Sequence, residues 1–470
     1  MTRLHLIWLG GLCLAGACYS QTASQVRSAG DSLEHVLELA RAHRYPEAAA
    51  AIRTVPVPSD PLKRITFLRI RASIESGLGH SRIAADDMEA AAKLAPQDTQ
   101  LRAAANLARL EAQLEAHEDP SATLRVLRSL ELPPERQLEV RLRTGEVLSR
   151  GHFYAAAAED LAEAARLAPG RADIFFNLAL ARYYNGQWDA ALESANRAQA
   201  LENNGATESL LGDIQEKRGD ALAAVHSYQA AVSLEPNVEQ HRLALATELL
   251  RHQTFDAAIL VLEQASDLFR QSVRVRILLG LSYYLVDRTA DSVRTLMTAS
   301  KLDKDSLAER YLGEITLQDS ASPDPTAVKE ICGFADAHPL NKTANAYCGG
   351  ALLRVAQENG DASGKSAILR RLHAGVRVAP DDPLARCQLG KGLEWAQIWQ
   401  EARAQLERCV RLDPGSPESH YRLARVYRRL GLTSLANDQT ALQQSMAKKE
   451  SDESIRRSNS ISRFLVLLER

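Results

Sequence analysis

Apolar residues recur along this chain three or four positions apart, from about residue 30 to residue 445. No stretch alternates apolar and polar positions with β-branched enrichment, so the pattern predicts helices throughout and no strand. Within the stripes a small residue returns at Ala72, Ala108, Gly145, Ala179, Gly212, Ala246, Gly280, Gly313, Gly349, Gly390 and Ala424. From Gly145 to Gly313 the steps are 34, 33, 34, 34 and 33 residues. Twelve residues beyond most of these lies a second small residue: Ala84, Ala157, Ala191, Ala224, Ala258, Ser292, Ala402 and Ala436. Val36 and Ala48 keep the same separation near the N-terminus. Proline stands twenty-four residues after four of them, at Pro96, Pro169, Pro236 and Pro414, and at Pro339 after a two-residue insertion. An aromatic marks the intervening turn at Tyr45, Tyr154, Trp188, Phe255 and Trp399.

This spacing predicts pairs of antiparallel helices, crossing closely where the small residue of the first helix meets that of the second. The proline lies past the second helix, which it cannot extend, and sets the turn into the next pair. One pair cannot bury its apolar face alone, so pairs must stack. The register loosens before Gly145, where the second helix near Pro120 and Pro133-Pro134 is short. It loosens again at the Asp319–Pro325 and Glu358–Gly364 insertions.

The best copies run from Arg386 to Gly390 with Ala402, Leu406, Cys409 and Pro414, and from Phe175 to Ala179 with Ala191 and Ala198. Arg276 to Gly280 with Tyr283, Ser292, Leu296 and Ala299 is equally close. These resemble the tetratricopeptide repeat, whose pattern is W-x2-L-G-x2-Y followed by A-x3-F, A and P. The resemblance implies an all-α, right-handed superhelical solenoid of stacked antiparallel helix pairs. It divides the chain into a signal peptide at 1–20, divergent repeats at 29–137 and regular repeats at 138–306. Repeats with insertions follow at 307–382, C-terminal repeats at 383–449 and a polar tail at 450–470, whose last residues, Arg463 to Arg470, are apolar at the centre.

Composition fits such a stack: 45% of residues are hydrophobic but only 5% aromatic, and Ala is the best helix former. A net charge of −2, from 57 basic and 59 acidic side chains, gives no electrostatic case for nucleic acid. The first twenty residues have the layout of an export signal. MTR gives a positive start, LHLIWLGGLCLAGA an apolar core too short for an ordinary membrane span, and CYSQ the small residues. Cleavage after Ser20 is one reading; Ala15-Gly16-Ala17-Cys18, resembling a lipobox, makes a lipid anchor at Cys18 the other. No later segment reaches about 18 continuous apolar residues. The expected location is therefore outside the cytoplasm, periplasmic or secreted, or membrane-anchored through Cys18.

Catalytic chemistry finds no foothold. Gly364-Lys365-Ser366 ends like a phosphate-binding loop, but position 359 is Asn where that loop needs glycine, and a helix rather than a strand precedes it. The twelve histidines show no HExxH or paired-ligand spacing, and no Gly-x-Ser-x-Gly elbow occurs. The expectation is a chain that is not an enzyme, with no cofactor and no metal. Cys332, Cys348, Cys387 and Cys409 are an even set in an exported chain, which invites disulfides. Pairing 332–348 and 387–409 is geometrically the easiest of three connectivities, with buried free cysteine as the alternative.

What remains is surface recognition. In the resembling family the first helix of each pair lines a concave groove, at three and six residues before the small position and one, four and five after it. Mapped here, those positions hold Phe176, Leu180, Tyr183, Tyr184, Leu243, Leu250, Ile277, Leu281, Tyr284 and Leu285, with Trp395 nearer the C-terminus. A second feature is a basic cap of Arg422, Arg425, Arg428 and Arg429 on one first helix. The expected function is a protein–protein interaction scaffold of the cell envelope, holding a partner protein or extended peptide in that groove. The alternative is an accessory factor for polysaccharide export or envelope assembly.

Overall fold

Helix pairs account for nearly all of the chain in the computed structural model, which describes residues 27–302 and 325–450. Among the described residues there are 23 helices and no strand. The signal-type segment with Cys18, the small position Gly313 and the tail beyond Glu450 lie outside them. The described residues fall into two units, 27–234 and 235–450.

The first unit holds six pairs, beginning with Arg27–Arg41 and Tyr45–Ile52, Pro61–Gly77 and Ser81–Leu94, and Thr99–Glu115 with the short Ser121–Ser129. Pro134–Arg150 with Tyr154–Leu167, Ala172–Tyr184 with Trp188–Leu201, and Gly205–Arg218 with Ala221–Leu234 complete it. The second unit opens on Glu239–Arg251 with Phe255–Leu268 and Val273–Leu285 with Thr289–Ser300. Pro325–Ala337 follows as a second helix. Three further pairs close the unit: Ala344–Glu358 with Lys365–Val378, Pro383–Trp395 with Trp399–Leu412, and Pro417–Arg429 with Thr433–Glu450.

First and second helices start differently. Six first helices are opened by a side-chain oxygen that accepts a backbone N–H of the first turn, from Asp60, Asp98, Asn204, Ser272, Asp382 and Ser416. Second helices are entered straight from the end of the first. At eleven pairs a backbone N–H donates to the carbonyl five residues earlier, as from Phe153 to Leu148, Gln187 to Arg182 and Thr254 to Leu249. The residue between adopts a left-handed conformation. It is Gly at Gly79, Gly186, Gly219, Gly360 and Gly431, but His at His43, His117 and His152, Gln at Gln253 and Gln397, and Asp at Asp287.

The small residues pack otherwise than expected. A Cβ added at Gly145 would stand 2.6 Å from Leu161, at Gly212 2.5 Å from Tyr228, at Gly280 2.7 Å from Leu296 and at Gly390 2.7 Å from Leu406. The first helix's glycine thus receives the large side chain one turn beyond the small residue of the second helix. That small residue, Ala157, Ala224, Ser292 or Ala402, is itself fully buried and lets the helices approach. In the Ala179 pair the position of that large side chain is itself small, Ala195. Around the resulting close crossings Ile174, Leu178, Leu148 and Leu161 form one continuous core, and Leu389, Leu393, Leu406 and Leu423 another.

The short helix Ser121–Ser129 buries little, and charge compensates. Asp160, almost fully buried, accepts from Arg128 Nη2 at 2.6 Å and from Arg141, while Arg128 also donates to the Ala156 carbonyl at 3.1 Å. Burial opposes the Arg128 charge, but Asp160 and Glu159 outweigh it and raise its pKa. Three helices are tied at one carboxylate.

Candidate functional site

The residues assigned to a groove divide sharply by burial. Leu180 lies in a core with Ala191, Ala195, Leu210 and Ile214. Ile277 and Leu281 lie in another with Leu296, Ile331 and Tyr347. Leu243, Leu250 and Leu285 are also buried. These six are core, not groove. The physical reason is that Ala-rich second helices are thin, so the next pair sinks far enough to enclose a Leu or Ile at the inner positions. Phe176, Tyr183, Tyr284 and Trp395 are partly buried, each packed against such a core. Tyr184 alone is exposed.

Tyr184, Trp395 and Arg429 share a structural position that sequence spacing did not disclose. Each stands five residues after the small residue of its first helix, against the residue that opens the preceding second helix. Tyr184 stacks on Tyr154 with centroids 5.0 Å apart, and Lys365 lies 5.2 Å over the Trp395 ring. Arg429 lies 5.8 Å over Trp399. At the fourth such joint the position is Gly77, where a Cβ would strike the Tyr45 ring at 2.6 Å. Two of these tyrosines are also fixed from the turn, through His43 Nδ1 to the Tyr45 hydroxyl at 2.8 Å and His152 Nδ1 to the Tyr154 hydroxyl at 2.6 Å. The turn aromatics were the available signal; their partners 30 to 32 residues on were not recognised.

One joint is open. Between the Trp188 turn and the end of Gly205–Arg218 lies a cavity of about 700 Å³, lined by Arg182, Trp188, Asp189, Lys217 and Arg218 among others. Arg182 Nη1 donates to the Ala190 carbonyl at 3.1 Å and to Ser194 Oγ at 2.6 Å. Arg218 pairs with Asp189 at 2.9 Å. Phe153, Tyr184 and Trp188 are 41%, 43% and 42% exposed along the same run of turns. Burial raises the pKa of Tyr184, with the charges of Tyr154 and Asp213 adding to it.

The basic cap is less basic than its sequence. Arg422 donates to Glu394 at 3.0 Å and to Glu418 at 2.9 Å, and Arg425 lies 3.2 Å from Glu394. Lys391 pairs with Glu418 at 2.6 Å, and burial pulls its ammonium below the usual lysine range despite that partner. Arg428 donates to Thr440 at 2.7 Å, and Arg429 is spent on Trp399. The structure disperses the four arginines into ion pairs and ring contacts rather than presenting one cationic face.

Disulfides join Cys332 to Cys348 and Cys387 to Cys409. The first crosses between helices Pro325–Ala337 and Ala344–Glu358; the second ties the two helices of one pair, with the Ser419 hydroxyl 3.2 Å from Cys409 Sγ. Among the described residues no group of three or more His, Cys, Asp or Glu side chains is arranged to hold a metal. No described helix is long and apolar enough to cross a membrane.

Residues 142–206 match the tetratricopeptide repeat family. The C-terminal part of a TPR repeat-containing protein from Cytophaga hutchinsonii is similar at 18% identity, over 60% of this chain and 99% of that one, with a TM-score of 0.41. Yeast Tom70 is similar at 14% identity over 91% and 100%, with a TM-score of 0.34. The TPR protein YrrB is similar at 16% identity over 36% and 88%, with a TM-score of 0.31. No curated protein matches the chain. The chain is thus an all-α protein of stacked helix pairs, with tetratricopeptide repeats matched at residues 142–206.

Proposed function

We propose that the chain is a non-catalytic interaction scaffold that binds a partner protein or an extended peptide. The observation that carries this reading is the set of exposed aromatic side chains within the matched repeats, Phe153, Tyr184 and Trp188, the last of which lines an open cavity. Large apolar side chains held rigid and half exposed on neighbouring elements are the anchors from which interfaces are built. The binding surface in this reading is the edge formed by the turns between paired helices, since most of the expected groove positions are core.

We place the scaffold in the cell envelope. The signal-type start at residues 1–20 supports that location, and two disulfides suit an oxidising compartment. Affinity capture from envelope extracts tests both parts, with wild-type chain against a Tyr184→Ala/Trp188→Ala variant whose helicity is checked by circular dichroism. Partners held by the wild type and lost by the variant support the turn-edge surface. Equal capture by both removes it, and binding to a glycan array with no captured protein replaces the scaffold reading with the polysaccharide one.

A further inference from the structure

The joint at Trp188 differs from those at Tyr154, Lys365 and Trp399. Where Tyr154, Lys365 and Trp399 open a second helix, the side chain of the next first helix closes over them. At Trp188 the corresponding residue is Lys217, and among the described residues Trp188 makes no ring contact. The indole is left lining the cavity, together with Lys217 and Arg218.

Cations outnumber carboxylates at this cavity. Arg182, Lys217 and Arg218 line it with a single carboxylate, Asp189, and Lys217 has Glu216 3.5 Å away, in a chain whose overall charge is slightly negative. Asp189 is committed to Arg218. Arg182 is held in place by two bonds through Nη1, and its Nε and Nη2 donors have no protein partner among the described residues. The guanidinium is therefore fixed in orientation with its remaining fork unspent, which suits bidentate recognition of a carboxylate. The helix Trp188–Leu201 starts there without a side-chain cap on its first N–H groups, which adds positive potential at the same spot.

We propose that this cavity is a subsite for an acidic side chain of an extended peptide, its carboxylate on Arg182 and Lys217 and a neighbouring apolar side chain on Trp188. The assignment rests on the peptide-binding reading above and supplies the chemistry of the ligand. A carboxylate is favoured over a phosphate because Asp189 shares the cavity and opposes a second negative charge. The volume fits a side chain and its neighbour rather than a folded domain.

The test is an array of twelve-residue peptides of varied apolar content, each printed in three versions with Glu, Gln or Lys at the same two positions, probed with the full chain. Wild type is expected to hold the Glu versions about tenfold better than the Gln versions and to ignore the Lys versions. Lys217→Glu, with Lys217→Gln as the milder variant, is expected to erase that preference while the melting curve stays in place. Trp188→Ala is expected to weaken all retained peptides without changing their order. Equal retention of Glu and Gln versions, or a preference unmoved by Lys217→Glu, overturns the carboxylate subsite and leaves peptide binding standing. Retention of no peptide overturns both.

Discussion

The Cβ that Gly212 lacks would stand 2.5 Å from the ring of Tyr228, and that ring is pinned by its hydroxyl donating to Asp213 at 2.7 Å. Neither partner has room to yield. Gly212→Ala is therefore expected to cost about 1–3 kcal/mol, as overpacking of a close crossing does. Urea unfolding read by circular dichroism measures it. In a Tyr228→Ala background the same substitution should cost much less, and an equal cost in both backgrounds would refute the contact as its cause.

Tyr283 and Tyr427 make the same bond in different pairs, donating to Glu263 at 2.7 Å and to Glu407 at 2.9 Å. Burial, reinforced by those carboxylates, pushes both phenols from the usual 10.0 up to about 12. A pKa raised in the folded state gives stability that is whole below pH 10 and is lost as pH climbs from 10 towards 12. Stability measured across that window should fall more steeply for wild type than for Tyr283→Phe/Tyr427→Phe. Phenolate absorbance showing both tyrosines ionised by pH 10.5 would contradict the bonds.

Asp160→Asn removes the carboxylate shared by Arg128 and Arg141. Arg128 retains Glu159 at 2.6 Å, so most of the loss falls on Arg141. Stranding a buried guanidinium costs about 3 kcal/mol. Hydrogen exchange should accelerate across helices Ser121–Ser129, Pro134–Arg150 and Tyr154–Leu167 and leave residues 235–450 unchanged.

In the native oxidised chain Cys332, Cys348, Cys387 and Cys409 should resist thiol reagents, and a non-reducing digest should yield the 332–348 and 387–409 peptides joined. Cys387→Ala/Cys409→Ala is expected to destabilise the second unit by about 3 kcal/mol, the loop-closure value for a link of this span. Any other pairing in the digest would contradict the structure.

Much of the architecture was legible because it depends on residues that sterics leave little choice about. Gly145, Gly212, Gly280 and Gly390 each admit a large side chain that any Cβ would exclude, so their spacing marks the repeat. The left-handed turn residues were illegible as a set: His152, Gln253 and Asp287 take a conformation that marks itself in sequence only where it is glycine. Six of the groove positions are core for a different reason. Whether Leu281 or Ile277 is surface or core depends on how close the next pair comes, and that distance is set by alanines on another helix. The cavity was invisible because it is defined by a missing contact, between Trp188 and Lys217, against the pattern at Tyr154 and Trp399.

The placement of the two disulfides also sets how the second unit bears load. A pull on the C-terminal end can peel the pair Pro417–Arg429 and Thr433–Glu450 freely, but at Cys409 the tension passes directly to Cys387. The 22-residue span between them stays slack, withholding about 75 Å of extension. The 16-residue span from Cys332 to Cys348 withholds about 55 Å more. Oxidised, this end of the chain is a short tether with a fixed stop; reduced, it is a longer and softer one.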